Sequence, residues 1–152
     1  IMIGYYNNRE ATDEVLHNGW LHTGDIGYFD KDGYLYICGR KKNLIVFSNG
    51  KKVVPEELEG YIQEIPLVKE VMVYGASAGT AIDDVTLSAL ICIDEERADT
   101  NDTFQLLEQV QEEITKLNNR LPDYKRIQSV KLTESEFKKT SIQKKKRREV
   151  TG

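Results

Sequence analysis

Apolar and polar positions change their period several times along the chain, and each change marks an element. Between Gly24 and Arg40, Ile26 and Tyr28 alternate with small or polar residues. Asp30-Lys31-Asp32-Gly33 supplies a turn, and Tyr34-Leu35-Tyr36-Ile37 resumes an aromatic-rich run. A period of two puts successive side chains on opposite faces, and Gly33 can take positive φ without a Cβ clash, so this stretch predicts a β-hairpin. Leu44-Ile45-Val46-Phe47 and Val53-Val54 bracket Ser48-Asn49-Gly50 and predict a second hairpin. From Pro55 the period becomes helical, with Leu58, Tyr61, Ile62 and Ile65 forming one apolar stripe. Proline costs no hydrogen bond in a first helical turn, and Glu56, Glu57 and Glu59 suit the positive end of the helix dipole. A helix is expected near 55–64.

Lys69 to Tyr74 and Val85 to Ile93 read as strands, the second with Val85, Leu87, Ala89, Ile91 and Ile93 on one face; Ala76 to Asp84 reads as a loop between them. Asp102, with Gln105 three residues on, resembles a capped helix start. Phe104, Leu107, Val110, Ile114 and Leu117 then predict an amphipathic helix over 103–119, stopped by Leu121-Pro122. Ile127 to Leu132 reads as a short strand. The order from residue 43 onward is hairpin, helix, strand, strand, helix, strand, which is an α+β domain with a central sheet flanked by helices. The boundary is expected near the hairpin's end, with 1–41 as the β-rich end of a preceding domain and 42–152 as a small second domain.

Length and composition narrow the class without deciding it. With 152 residues, 39% of them hydrophobic and 30% charged, the chain can bury a core. Cys38 and Cys92 form no CxxC unit, so neither a disulfide scaffold nor a structural zinc site is indicated. No apolar run approaches the ~20 residues that span a bilayer. No charged-then-apolar leader opens the chain, so a cytoplasmic location is the expectation, with peripheral membrane association left open. Ile1 precedes Met2, and the chain reads as an excised part of a longer protein. Charge is uneven. Seven of the 21 basic residues fall in 138–148 (Lys138, Lys139, Lys144, Lys145, Lys146, Arg147 and Arg148) without an acid among them. The first 137 residues hold the other 14 basic groups and 24 of the 25 acids. A basic tail on an acidic body suits a nucleic acid, an anionic membrane, a polyphosphate ligand or simply solvent.

Generic site motifs are absent. There is neither a GxxxxGK[ST] phosphate loop nor a GxGxxG. Asp30-Lys31-Asp32-Gly33 begins like a calcium loop, but its glycine comes two residues early and the closing glutamate is missing, so a hairpin turn is expected. His17 and His22 lack a third ligand at metal spacing, and no metal site is expected. No Ser-His-Asp set can be argued.

Longer motifs are more specific. Gly4-Tyr5-Tyr6 comes first, then Gly19-Trp20-Leu21-His22-Thr23-Gly24-Asp25-Ile26-Gly27. Gly39-Arg40-Lys41-Lys42-Asn43-Leu44-Ile45-Val46 and Gly50-Lys51-Lys52-Val53-Val54-Pro55-Glu56-Glu57-Leu58-Glu59 follow in order. This series resembles the adenylate-forming superfamily, most closely its AMP-forming long-chain acyl-CoA synthetases, from about Gly4 to Arg148. In that family a large N-terminal AMP-binding domain holds the ATP loop and the acyl pocket, and a small mobile C-terminal domain swings over it. The resemblance implies the last hairpin of the large domain, a hinge and the small domain here. The missing large domain would be this chain's main partner.

Roles follow position by position. Asp25 of Thr23-Gly24-Asp25 resembles the carboxylate that accepts hydrogen bonds from the ribose hydroxyls of ATP, a task suited to a group with several lone pairs. Arg40 is similar to the arginine that contacts the same nucleotide, and Lys42 falls at the hinge. Without the resemblance, Asp25 would merely start the hairpin and Arg40 would pair with a surface acid. Ser48-Asn49-Gly50 is similar to the glycine-rich turn that faces the site during thioester formation, although Asn49 stands where many relatives have glycine; on its own it reads as a hairpin turn. Lys139-Thr140-Ser141-Ile142-Gln143-Lys144 resembles the Thr-x-x-Gly-Lys loop whose lysine bridges carboxylate and α-phosphate. Gln143 replaces the glycine there, and choosing Lys145 or Lys146 over Lys144 would require a shifted alignment.

The implied activity is a fatty acid–CoA ligase. It would form acyl-AMP and pyrophosphate from a fatty acid and ATP with Mg2+, then acyl-CoA and AMP from CoA, with the fragment alone inactive and no substrate bound to it. Two rivals are an adenylating enzyme that uses a carrier-protein thiol and, from another class, a nucleic-acid-binding module built on the basic tail. Against the second, the body is acidic and no aromatic residue interleaves with the tail lysines to stack bases.

Overall fold

A computed structural model describes residues 2–77 and 85–137. The chain divides into two compact units, Ile1–Asn43 and Leu44–Gly152.

The first unit opens with a helix that hydrophobic periodicity did not predict. Helix α1 (Arg9–Val15) spans barely two turns and buries none of its residues, so it carries no apolar stripe to read. Its signal is the cap: the Asn8 side chain accepts a hydrogen bond from the Ala11 N–H at 3.0 Å. A short hairpin follows, β1 (Leu16–His17) against β2 (Trp20–Leu21), with His17 opposite Trp20. Its two linking residues, Asn18 and Gly19, both have positive φ (52° and 81°), the backbone a tight two-residue hairpin requires. Residues 1–41 are therefore not purely β-rich.

The hairpin expected over 24–40 is present as β3 (Asp25–Phe29) and β4 (Leu35–Arg40), antiparallel from Asp25 opposite Arg40 to Phe29 opposite Leu35. Asp30 organises the turn, its Oδ1 accepting from the N–H groups of Asp32 and Tyr34, each at 2.9 Å. The bond from Tyr34, chief among several from the backbone, holds the Asp30 carboxyl below its ordinary value despite some desolvation. The carboxylate is thus committed to the turn, as the hairpin reading of Asp30–Gly33 requires. Tyr28 stacks on Tyr36 with ring centroids 5.3 Å apart, and Tyr28, Phe29, Tyr34, Leu35, Tyr36 and Ile37 all remain exposed.

The second unit begins with the hairpin β5 (Ile45–Val46) and β6 (Lys52–Val53), then α2 (Pro55–Gln63). Strands β7 (Val68–Ser77), β8 (Val85–Ile93) and β9 (Ser129–Thr133) form one sheet in that order, and α3 (Thr103–Asn118) connects β8 to β9. The β7–β8 pair is antiparallel and the β8–β9 pair parallel. Asp102 caps α3 as its spacing predicts, accepting from the Phe104 N–H at 2.9 Å. Leu58 and Ile62 of α2 join Val110 and Ile114 of α3 in one cluster with Val71, Val73, Leu87, Ala89 and Ile91. Alternation puts Glu70, Met72 and Tyr74 on the other face of β7, opposite Cys92, Leu90 and Ser88 of β8.

Two boundaries differ from the sequence reading. Ala76 and Ser77 extend β7 instead of opening a loop, paired with Thr86 and Val85; the rest of the expected loop, 78–84, lies outside the described residues. The last strand starts at Ser129, not Ile127. The Asn118 side chain explains the shift: its Nδ2 donates to the Ile127 carbonyl at 2.8 Å and its Oδ1 accepts from the Ile127 N–H at 2.9 Å. Ile127 is buried by this clasp at the end of α3, outside the β-ladder.

The core face of α2 can be tested directly. Leu58→Ala should destabilise the chain by about 2–5 kcal/mol in urea unfolding, since Leu58 is fully buried. Tyr61→Ala, at a residue 42% exposed, should cost distinctly less. Equal costs would show that the stripe does not face the core.

Candidate functional site

The open end of the β3–β4 hairpin is the first candidate. Asp25 begins β3 and Arg40 ends β4, so antiparallel pairing sets them directly opposite. The Thr23 Oγ1 accepts from the Asp25 N–H at 3.2 Å, and the Lys41 N–H donates to the Gly24 carbonyl at 2.8 Å, which closes the ladder just beyond the pair. Arg40 Nε lies 2.8 Å from Asp25 Oδ1, with side chains 36% and 27% exposed respectively. The two residues that the resemblance assigns to one nucleotide are therefore each other's partners. Such a pair can offer acceptor oxygen to hydroxyl groups and guanidinium donors to an anion at a single place.

Lys42 sits in a 3₁₀ turn, Lys41–Asn43, and is exposed. That turn ends where the two units divide. The Ser48-Asn49-Gly50 turn is also exposed, closed by the Gly50 N–H on the Phe47 carbonyl and the Phe47 N–H on the Lys51 carbonyl, both at 2.9 Å. Gly50 has φ of 78°, a conformation L side chains rarely adopt, and Asn49 Oδ1 braces the turn by accepting from the Lys51 N–H at 3.0 Å. Asparagine at position 49 thus has a structural task of its own. Lys144 lies outside the described residues, as do Lys145, Lys146 and the rest of the basic tail.

Beside the 48–50 turn is a cavity of about 280 Å³ that the sequence reading missed, lined by Phe47, Asn49, Lys51, Tyr124 and Arg126 among others. The Lys51 ammonium stands 4.8 Å from the centre of the Tyr124 ring. Arg126 Nη1 is 2.8 Å from Asp123 Oδ1, and Lys125 Nζ contacts both carboxylate oxygens of Glu57 at 2.8 Å. The Tyr124-Lys125-Arg126 triplet just after Leu121-Pro122 was the available signal. It goes unread because an isolated aromatic among basic residues resembles any solvated turn. Burial opposes a charge on Lys125, but the hydrogen bonds to Glu57 and its negative charge outweigh that and raise the lysine above its ordinary value. His17 and His22 meet ring to ring, with centroids 5.0 Å apart, and among the described residues no three His, Cys, Asp or Glu side chains gather to hold a metal. Among those residues, too, no helix is long and apolar enough to cross a membrane.

Solved structures of the same build are adenylate-forming enzymes. An anthranilate CoA ligase in complex with anthranoyl-AMP superposes with a TM-score of 0.79 and 26% identity, covering 97% of this chain and 27% of that one. The o-succinylbenzoate CoA synthetase of Bacillus subtilis, in complex with its acyl-adenylate intermediate, gives a TM-score of 0.76 and 25% identity, covering 100% of this chain and 28% of that one. The family model described as the AMP-binding enzyme C-terminal domain matches residues 42–151, and the chain belongs to that family. Among curated proteins, a long-chain-fatty-acid–CoA ligase of Escherichia coli is 42% identical over 87 residues, which is 57% of this chain and 15% of that protein. The chain thus spans about 15% of the length of the curated relatives it matches.

Linkage sets the pH range of the Lys125–Glu57 contact. Because the folded state raises the Lys125 value, its contribution is complete below the unfolded lysine value and fades as pH climbs through the folded one. Lys125→Met should lower stability by about 1–3 kcal/mol at neutral pH. In pH-resolved urea unfolding, that difference should stay constant from pH 7 to 9 and shrink above about 10.5. A difference that shrinks before pH 9 would contradict the assignment.

Proposed function

We propose that the chain is the C-terminal part of an AMP-forming acyl-CoA synthetase acting on a long-chain fatty acid. The observation that carries this reading is the facing Asp25–Arg40 pair within the motif series Thr23-Gly24-Asp25 and Gly39-Arg40. The identity to the Escherichia coli ligase supports the fatty-acid substrate. The domain boundary falls at Lys42: residues 1–41 close the AMP-binding domain, and 42–152 are the mobile domain. The isolated chain, without the rest of the AMP-binding domain, is catalytically silent.

In this reading the carboxylate attacks the α-phosphorus of ATP, the bond to pyrophosphate breaks, and acyl-AMP forms. Asp25 accepts hydrogen bonds from the ribose hydroxyls, and Arg40 stays against the nucleotide. Lys144 places an ammonium between carboxylate and α-phosphate, where two anions must meet. Magnesium enters with the ATP phosphates as part of the substrate. The CoA thiol then attacks the acyl carbonyl and AMP leaves with its phosphate. For that step the 48–50 turn faces the site, and the cavity beside it offers Lys51 and Arg126 to an anionic group and Tyr124 to a flat one. Lys42 is the pivot between the two arrangements.

Half-reactions of the full-length enzyme test the assignment. Lys144→Ala should slow acyl-AMP formation by about 10²–10³ and leave transfer from preformed acyl-AMP to CoA largely intact. The same selective defect at Lys145 or Lys146 would move the register across Gln143. Lys42→Pro fixes φ at the pivot and should affect the two half-reactions unequally. Wild-type rates in both would remove Lys42 from the hinge.

A further inference from the structure

The end of β9 leads into a contact that neither the motif series nor the proposed roles use. After Thr133 the chain turns, with Thr133 Oγ1 accepting from the Ser135 N–H at 3.2 Å. It then reaches the opposite edge of the sheet. Glu136 pairs with Lys69 at 2.6 Å, and the Phe137 N–H donates to Glu70 Oε2 at 2.9 Å. Strand order β7-β8-β9 places those anchors two strand spacings from β9, about 10 Å, and four extended residues cover at most ~13–14 Å. The segment therefore crosses β8 with little slack.

Glu70 is the unusual element in this crossing. It is only 8% exposed, on the sheet face away from the helices, and sits opposite Cys92, which in turn is opposite Thr133. Phe137 is equally buried. Burial raises the Cys92 thiol above its ordinary value, and the Glu70 charge adds to the rise. Burying a carboxylate costs free energy that burying an apolar side chain does not. Among the contacts described, glutamate adds a charge-assisted acceptor for the Phe137 N–H. Lys69 beside it is held by Glu136, whose hydrogen bond and charge raise the lysine above its ordinary value.

We propose that Glu70 is a positioning residue for adenylation, fixing the root of the tail that carries Lys144 by accepting the Phe137 N–H. The role rests on the reading of Lys144 above, seven residues beyond Phe137 in the sequence. A clamp at Phe137 limits where the following residues can reach, and misplacing a reacting group by about 1 Å costs up to ~10²-fold in rate.

The test uses the full-length synthetase and reads three quantities: the rates of both half-reactions, amide exchange at Phe137, and coupling to Lys144. Glu70→Ala should slow acyl-AMP formation by about 10- to 100-fold and leave acyl transfer within about twofold of wild type. Glu70→Gln should recover most of the loss, because its side-chain carbonyl still accepts the Phe137 N–H. Exchange at that amide should quicken in Glu70→Ala and stay slow in Glu70→Gln. In a Lys144→Ala background, Glu70→Ala should add nothing. If Glu70→Ala does not fold, Glu70→Asp, one methylene shorter, should give the same pattern in milder form. Equal loss in both half-reactions, unchanged exchange at Phe137 or additivity with Lys144→Ala would each overturn the proposal. A Lys144→Ala enzyme with no selective adenylation defect would instead overturn the reading of Lys144, and the positioning role with it, even where Phe137 exchange responds as described.

Discussion

A parallel strand cannot follow its neighbour through a tight turn. Strand β9 can lie beside β8 only after the chain has returned along the length of the sheet, and that return is α3. The crossover explains much of the second unit. It lays Val110 and Ile114 on the face already covered by Leu58 and Ile62, so both helices share one cluster with the sheet. It makes β8 the central strand, paired along both edges, with side chains buried on both faces. It also brings the Asn118 side chain to Ile127, which ends the helix connection and sets where β9 begins. On the other face of the sheet the chain leaving β9 finds Glu70.

Elements with a long hydrophobic period were legible, and those held by a single polar contact were not. The stripe from Leu58 to Ile65 and that from Phe104 to Leu117 predict the bounds of α2 and α3 nearly to the residue, but the face of α3 only in part: Val110 and Ile114 are buried, whereas Phe104 is 74% exposed and Leu106, outside the stripe, is buried instead. Helix α1 buries nothing, so only Asn8 marks it. The Asn18-Gly19 turn was as clear a signal as Ser48-Asn49-Gly50, but its strands of two residues each are too short to alternate. For the site, the motif series pointed to Asp25, Arg40 and the 48–50 turn, whereas folding alone brings Lys51 to Tyr124 and Arg126, more than seventy residues away in sequence. Glu70 was hidden for the same reason. Within a strand-like run it reads as a solvated position, and its burial depends on a segment more than sixty residues later.

The Asp25–Arg40 pair shows why pairing and function need not compete. Both side chains are partly exposed, and ion pairs in contact with water contribute little to stability because solvent screens them. A pair of that kind can exchange its mutual contact for contacts to a ligand at small cost, which a deeply buried pair cannot do. The backbone supplies the permanence: antiparallel register holds the two Cα positions opposite each other whether or not the side chains touch. Had Arg40 been matched to an acid elsewhere on the surface, the ordinary explanation of a surface contact would have sufficed. Its partner is the other residue of the same expected site, so one geometry serves the free hairpin and the proposed nucleotide contact.

Glu70 stands at the opposite energetic extreme, and the contrast separates two ways of using a carboxylate. Asp25 remains near solvent, where its charge is cheap and its partner exchangeable. Glu70 is desolvated, so the Phe137 N–H it holds is costly to release, because release would leave an acceptor buried without that partner. Exchangeable contacts belong where a substrate must come and go. Costly ones belong where a chain segment must return to the same place in every cycle. In the proposed role of Glu70, Phe137, with its side chain buried and its amide held by that carboxylate, is the last described residue before Lys144.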